Sequence, residues 1–266
     1  MKIAFIGGGN MGEAMISSLL TRGVVEIADL SVSDISRERR DYLNERYKIA
    51  VTDNIGDAVT GKNIIILAVK PQNMAEVLKS LKPHLRPEQL VVSIAAGVRT
   101  DTLSAGLGHR RLVRVMPNTP AQIGTGMSGW TATPQVTAGE REQVEKILGA
   151  MGREIYFDDE KYLDMVTAVS GSGPAYFFFM AEAMVEAALA IGLPLEKAEI
   201  LVSQTMLGAA GLLEQSGKSP AVLRQNVTSP GGTTESALSV LNEGGFPGLI
   251  QKAIEAACKR AREMGD

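Results

Sequence analysis

Residues 2–6, Lys-Ile-Ala-Phe-Ile, run straight into Gly7-Gly8-Gly9-Asn10-Met11-Gly12, and a helical pattern opens behind the last glycine. Strand, glycine turn and helix in that order commit the chain to begin with a βα unit. Only glycine lets the backbone turn that sharply and leaves room for a helix to start against the strand it has just left. The spacing is G-x-G-x-x-G, the dinucleotide fingerprint. On that reading Gly7 permits the tight turn, Gly9 lets a pyrophosphate approach the backbone, and Gly12 lets helix pack on strand, with the first N–H groups facing the phosphates. Ile6, Gly8, Asn10 and Met11 complete the expected cofactor contacts here. A glycine-rich turn with no ligand is the plainer alternative.

Short β-branched runs at 2–6, 30–33, 64–69, 90–94 and 112–115 alternate with helical patterns. That alternation predicts βαβ units and a Rossmann-type parallel sheet covered on both faces, hence an α/β protein. Thr137-Ala138-Gly139-Glu140 is a capping-box pattern, and Val144, Ile147, Leu148 and Met151 share one face of the helix it opens. Residues 155–157 read as a last edge strand, and beyond 158 the period is purely helical. Two domains are therefore expected: a dinucleotide-binding domain over 1–160 and an all-α dimerisation and substrate domain over 161–266. The second should hold four or five helices, broken at Gly171-Ser172-Gly173-Pro174, Gly192-Leu193-Pro194, 216–220 and Ser229-Pro230-Gly231-Gly232. Its helix over 175–191 is apolar almost all round, with Glu182 and Glu186 as its only charges. So small a domain cannot bury such a helix alone, so a partner subunit is expected to cover it. The alternative is the centre of a monomeric bundle.

Composition excludes several classes. With 27 Lys and Arg against 30 Asp and Glu, the formal charge is −3, which disfavours nucleic acid as a partner. Cys258 is the single cysteine and His84 and His109 the only histidines, so neither an intrachain disulfide nor a Cys/His zinc site can be assembled. The longest apolar runs, such as 64–69 and 175–181, fall far short of the ~20 residues of a membrane helix, and the expectation is a soluble, cytoplasmic protein.

Strand ends on one edge of such a sheet carry ligands. Cofactor choice should be read at the tip of the second strand, where Ser33 and Asp34 follow Gly12 by 21 and 22 residues. If Ser33 holds the tip, its hydroxyl with Arg37 or Arg39 suits a 2′-phosphate; if Asp34 does, an unphosphorylated ribose is favoured. Each arginine is otherwise an ordinary solvated charge. Ala68-Val69-Lys70-Pro71 and Ala95-Ala96-Gly97 end two further strands, with Lys70 a candidate for a ribose or phosphate oxygen or a plain surface lysine. Asn118, in Met116-Pro117-Asn118-Thr119-Pro120, either bonds the cofactor amide or forms a turn. Thr228-Ser229-Pro230-Gly231-Gly232-Thr233-Thr234 precedes a helix and offers hydroxyls and N–H groups at one spot, an outline of a carboxylate site or simply of a helix cap.

Together these residues resemble pyrroline-5-carboxylate reductase along the whole chain. The specific pieces are Ala68-Val69-Lys70-Pro71, Met116-Pro117-Asn118-Thr119-Pro120, Ser170-Gly171-Ser172-Gly173-Pro174-Ala175-Tyr176 and Val227-Thr228-Ser229-Pro230-Gly231-Gly232-Thr233-Thr234. The resemblance implies reduction of 1-pyrroline-5-carboxylate to L-proline with NADPH, NAD being the alternative cofactor, and self-association as a dimer or a ring of dimers. It implies that Ser33, Asn54 and Asn226 help bind the cofactor and that Glu160, Thr167, Ser229, Gly232, Thr233 and Thr234 lie at or near the substrate, to which loop position adds Gly231. The departure is Asp34, where many relatives carry Ser or Pro. A cyclic imine is basic enough to take its proton from solvent, so no strong protein acid is required. Thr167 is expected to donate to the ring nitrogen, or else to back-bond within a helix. A hydroxyacid dehydrogenase of related fold would want a lysine acid/base, and Lys161 and Lys197 stand beside no glycine-rich motif. A non-catalytic nucleotide sensor would leave the 229–234 loop without a purpose.

Overall fold

Eight strands form one sheet in the order β3-β2-β1-β4-β5-β6-β7-β8. They are β1 Ile3–Ile6, β2 Leu30–Ser33, β3 Ala50–Thr52, β4 Ile64–Leu67, β5 Leu90–Ser93, β6 Leu112–Met116, β7 Gly126–Ala132 and β8 Gly152–Tyr156. The first six are parallel, β7 runs antiparallel to β6, and β8 is parallel to β7. This computed structural model describes residues 1–265.

β1, β2, β4 and β5 are buried along their whole length, as central strands are when helices cover both faces, and the serines of β2 and β5 are buried with them. Successive side chains point to opposite faces. Ile3 and Phe5 therefore join a core with Met15, Ile16 and Leu19 of α1 (Asn10–Thr21), whereas Ala4 and Ile6 join another with Leu78 of α4 (Met74–Leu81) and Leu103 of α5 (Thr100–Leu107). The remaining helices of this unit are α2 Arg37–Tyr47, α3 Ile55–Val59, α6 Ala138–Gly149 and α7 Tyr162–Val166, followed by a π-helical turn Thr167–Gly171. α6 begins on the expected capping box, with Thr137 accepting from the Glu140 N–H and Glu140 from that of Thr137. The chain winds from β1 out to β3 and returns to place β4 on the other side of β1, so the crevice at their carboxyl ends is a topological switch point.

Two strands escape the hydrophobic pattern. β3 is short and on the edge, and β7 carries Gly126 and Gly129 where a side chain would strike Ala121 and Val166. The expected boundary at 160 and 161 marks where strand periodicity ends. One compact unit comprises Met1–Ser172 together with the chain from Ala257 on, so it keeps α7 and the π turn; the other is Gly173–Ala256.

The second unit is entirely helical: α8 Gly173–Ala190, α9 Leu195–Ser216, α10 Pro220–Asn226, α11 Thr233–Glu243 and the start of α12 Phe246–Glu263. Within it only Gly173, Ala198 and Val202 are buried. Phe177, Phe178 and Phe179 are 66–71% exposed. Three adjacent phenylalanines left in water form an exposed apolar surface of the kind that marks an interaction site. No helix among the described residues is long and apolar enough to cross a membrane.

Candidate active site

The fingerprint turn is held between two strands: the Gly7 N–H donates to the Ser33 carbonyl and the Ala68 N–H to that of Ile6, both at 2.8 Å. Gly7 has φ +97°, and a Cβ there would stand 2.6 Å from the Ala68 carbonyl oxygen. A methyl at Gly12 would lie 2.7 Å from the Gly7 carbonyl oxygen, whereas nothing lies within 4 Å of one at Gly9. The turn thus falls on Gly7, the open face on Gly9 and the tight helix packing on Gly12. Gly9 is the N-cap of α1 and no side chain caps that helix end. The N–H groups of Asn10, Met11 and Gly12 find no partner among the described residues. An open backbone at a free, electropositive helix end fits a dinucleotide pyrophosphate.

A cleft of about 870 Å³ opens at these strand ends. Ile6, Gly7, Gly9, Ser33, Asn54, Ala68, Val69 and Lys70 of the expected set line it. Gly8, Asn10, Met11, Gly12, Arg37, Pro71, Ala95, Ala96 and Asn118 do not. Asn54 caps α3, accepting from the Asp57 N–H at 3.1 Å. Asn73, Glu76, Val77 and His84 also line the cleft, and no motif in the sequence marks them. Glu76 and Val77 belong to α4, whose apolar pattern shows only the face turned to the core.

Three arginines of α2 behave differently. Arg37 reaches into solvent, 87% exposed, and faces Asp41 at 3.7 Å. Arg40 donates to the carbonyls of Asp34 and Ile35 at 2.7 and 3.1 Å. Arg39 is the one on the cleft, and its guanidinium bonds the Gly8 carbonyl and Glu13. Glu13 also accepts from the hydroxyls of Tyr42 and Tyr47, each at 2.9 Å. Burial alone would raise the Glu13 carboxyl, but these donors outweigh it and hold it below the ordinary value.

Other predicted residues are engaged within the same unit. The Asn118 amide donates to Ser170 and accepts from the Met127 N–H at 2.8 Å, so it clamps β7 to the π turn. Glu160 accepts from the Thr100 N–H and from Arg114, both at 2.9 Å. The Thr167 hydroxyl donates to the Leu163 carbonyl at 2.7 Å, the back-bonded state. It opens a π turn, a distortion frequent at functional sites. Lys161 is exposed and pairs with Asp159 at 2.7 Å. The hydrogen bond it donates to Asp159 raises its ammonium above the ordinary value, unsuited to proton exchange at neutral pH.

In the helical unit, Gly232 is the N-cap of α11, again without a side-chain cap. Gly231 takes φ +71° and its N–H donates to Glu235 at 2.7 Å. The Gly232 N–H donates to the Ser229 carbonyl at 3.0 Å. The N–H groups and hydroxyls of Thr233 and Thr234 have no partner among the described residues. The Thr228 hydroxyl is turned away, to the Arg224 carbonyl at 2.7 Å. Asn226 is exposed at the end of α10.

A fingerprint turn over a switch-point cleft, with an all-helical unit after it, defines a two-unit α/β oxidoreductase of the dinucleotide-binding class. Comparison with known proteins narrows the class. Residues 160–264 match the family described as pyrroline-5-carboxylate reductase dimerisation, and residues 2–97 that described as NADP oxidoreductase coenzyme F420-dependent. Pyrroline-5-carboxylate reductase from Pseudomonas aeruginosa is 45% identical over 266 residues, 100% of this chain and 97% of that protein. The solved enzyme from Coxiella burnetii superposes with a TM-score of 0.92 at 38% identity, covering 100% of this chain and 98% of that one. A Plasmodium falciparum pyrroline carboxylate reductase, solved with NADP bound, gives 0.90 at 29% identity, with coverage of 100% and 98%. The chain belongs to the pyrroline-5-carboxylate reductase family, and its activity is the conversion of pyrroline-5-carboxylate to proline.

Proposed function

We propose that the chain reduces the C=N bond of 1-pyrroline-5-carboxylate with a hydride from NADPH bound in the cleft at Gly7–Gly12, NADH being the alternative donor. The observation that carries this is the uncapped start of α1 above the open face of Gly9, beside the β2 tip in one cleft. A reduced nicotinamide dinucleotide supplies the hydride when bound. The free N–H groups of α1 hold its pyrophosphate, Ser33 and Asn54 its adenosine side, and Val69 and Lys70 border its path along the strand ends.

The carboxylate of the substrate is assigned to Ser229, Gly231, Gly232, Thr233 and Thr234, whose hydroxyls and uncapped N–H groups favour an anion without a lysine or arginine. Protonation of the imine comes from solvent. The Thr167 hydroxyl directs its O–H at the Leu163 carbonyl, so its oxygen lone pairs accept from the N–H of the protonated imine and keep the electrophile cationic. Glu160, tied to Thr100 and Arg114, shapes the surroundings of α7. The bare phenylalanines of α8 support self-association as a dimer or a ring of dimers, and cytoplasmic residence accords with a reductant drawn from the NADPH pool.

Loss of absorbance at 340 nm on mixing the protein with NADPH and pyrroline-5-carboxylate, with proline as the product, is the expected result. No dinucleotide oxidation over the substrate-free rate would overturn the reading.

A further inference from the structure

We propose that Asp34 limits selection for a 2′-phosphorylated dinucleotide, so that NADH remains a working hydride donor beside NADPH; the proposal rests on the cofactor occupying the cleft at Gly7–Gly12. Asp34 is the first residue past β2 and lines the cleft with Ser33 and Ser36. Both its carboxylate oxygens are fixed: one accepts from the Gly8 N–H at 2.8 Å, the other from the Ser36 N–H at 2.9 Å. These two backbone donors border the strand tip where the adenine ribose of a dinucleotide rests. A 2′-phosphate would need such donors, and here a carboxylate has taken them.

The loop cannot easily swing the carboxylate away. Arg40 grips the carbonyls of Asp34 and Ile35 from behind and faces Asp53 at 3.3 Å. Neither Arg39 nor Arg37 of α2 is placed to offset Asp34. Arg39 lines the cleft, but its guanidinium is shared between Glu13 and the Gly8 carbonyl. Arg37 stands in solvent, off the cleft. A ribose hydroxyl, by contrast, is a donor, and a carboxylate already holding two N–H groups keeps lone pairs to accept it. The dianionic phosphate meets like charge while the hydroxyl meets an acceptor, so the same side chain weakens one cofactor and supports the other.

The test is calorimetric titration of the full-length protein with NADP⁺ and with NAD⁺, which reads binding without turnover. Parent protein is expected to bind the two within about tenfold of each other. Asp34→Asn removes the charge at nearly constant shape, and Asp34→Ser also frees the Gly8 and Ser36 N–H groups. Each should shift the affinity ratio toward NADP⁺ by about tenfold or more, Ser further than Asn, with NAD⁺ binding weakened. A ratio unchanged in both variants overturns the proposal, the fold being checked by circular dichroism and Asn serving where Ser disturbs it. Should the ratio shift while pyrroline-5-carboxylate is not reduced with either donor, the proposal stands and the activity reading falls. Failure of the parent to bind either dinucleotide overturns the proposal together with the cofactor assignment.

Discussion

Arg114, 3% exposed in β6, bridges Glu160 at 2.9 Å and Asp164 of α7 at 3.3 Å, so one buried guanidinium fastens the start of the helical stretch to the sheet. Replacing it by leucine takes the guanidinium from the buried Asp164 and removes one partner from Glu160, which is partly exposed and keeps Thr100. Breaking a buried pair from one side costs about 3–5 kcal/mol. Arg114→Leu should therefore lower the urea midpoint strongly, and Arg114→Lys, which keeps charge but loses the fork, should fall between. A midpoint unchanged in the leucine variant would show that solvent already compensates these groups.

Gly9 and Gly12 separate binding from folding. A methyl at Gly12 meets the Gly7 carbonyl at 2.7 Å, so Gly12→Ala should cost about 1–3 kcal/mol of stability and cofactor affinity as well. Nothing stands near a methyl at Gly9. Gly9→Ala should melt within about 0.5 kcal/mol of the parent yet bind dinucleotide about tenfold more weakly, because the methyl fills the space of the phosphates. Melting curves and dinucleotide titrations on the two variants check both halves.

The arginines of α2 give a third contrast. Arg37→Ala should leave the Michaelis constants for both dinucleotides nearly unchanged, its side chain being solvent-exposed and off the cleft. Arg39→Ala unties Gly8 from α2 and should raise both constants together. A rise for NADPH alone in the Arg37 variant would restore that residue as the reader of the phosphate.

How far the sequence reaches explains this division. Buried parallel strands are rich in aliphatic residues, so β1, β2, β4, β5 and β6 are plain in the sequence even with Ser31 inside β2 and Arg114 inside β6. β7 is hidden because Gly126 and Gly129 answer to neighbours, Ala121 and Val166, that only the folded chain brings near. Motif spacing likewise marks the βα turn, because the demand on each glycine is local. It cannot tell Arg37 from Arg39, two residues apart on one helix, because the choice depends on Glu13 and Gly8 on another element. For the same reason Asn118 looks like a free functional group in the sequence, whereas its partners Met127 and Ser170 become visible only in the structure; for Thr167 the sequence offers both a free and a back-bonded hydroxyl, and the structure shows the second.

His109 should make stability fall on mild acidification. Burial lowers its pKa below the ordinary 6.5, although its ring nitrogen, 2.8 Å from the Gln89 carbonyl, offsets part of this. A native pKa below the unfolded one means the unfolded chain binds the extra proton. Stability contributed by the neutral ring is thus present above about pH 6.5 and is lost as pH drops through the native value. Glu13 acts separately: its native pKa lies below 4.5, so its contribution is present above that pH and disappears in more acid solution. Chemical denaturation between about pH 7.5 and 5.5 should slope in the parent and flatten in His109→Gln. Equal slopes would assign the effect to other groups.

Thr234→Val decides what the loop before α11 is for. The valine keeps the shape of threonine and removes a hydroxyl that has no partner among the described residues. Gly232, not a threonine, is the N-cap, so no capping bond is lost and stability should change by less than about 0.5 kcal/mol. If the hydroxyl donates to the substrate carboxylate, its loss costs about 1.5–3 kcal/mol of binding, a rise of roughly 10- to 150-fold in the Michaelis constant for pyrroline-5-carboxylate. Dinucleotide affinity should stay where it was, since the fingerprint residues belong to the other unit. Melting temperature, substrate saturation and dinucleotide titration on this one variant give three independent readings. An unchanged saturation curve would remove Thr234 from the carboxylate site, and a lowered melting temperature would return it to the role of a helix-end residue.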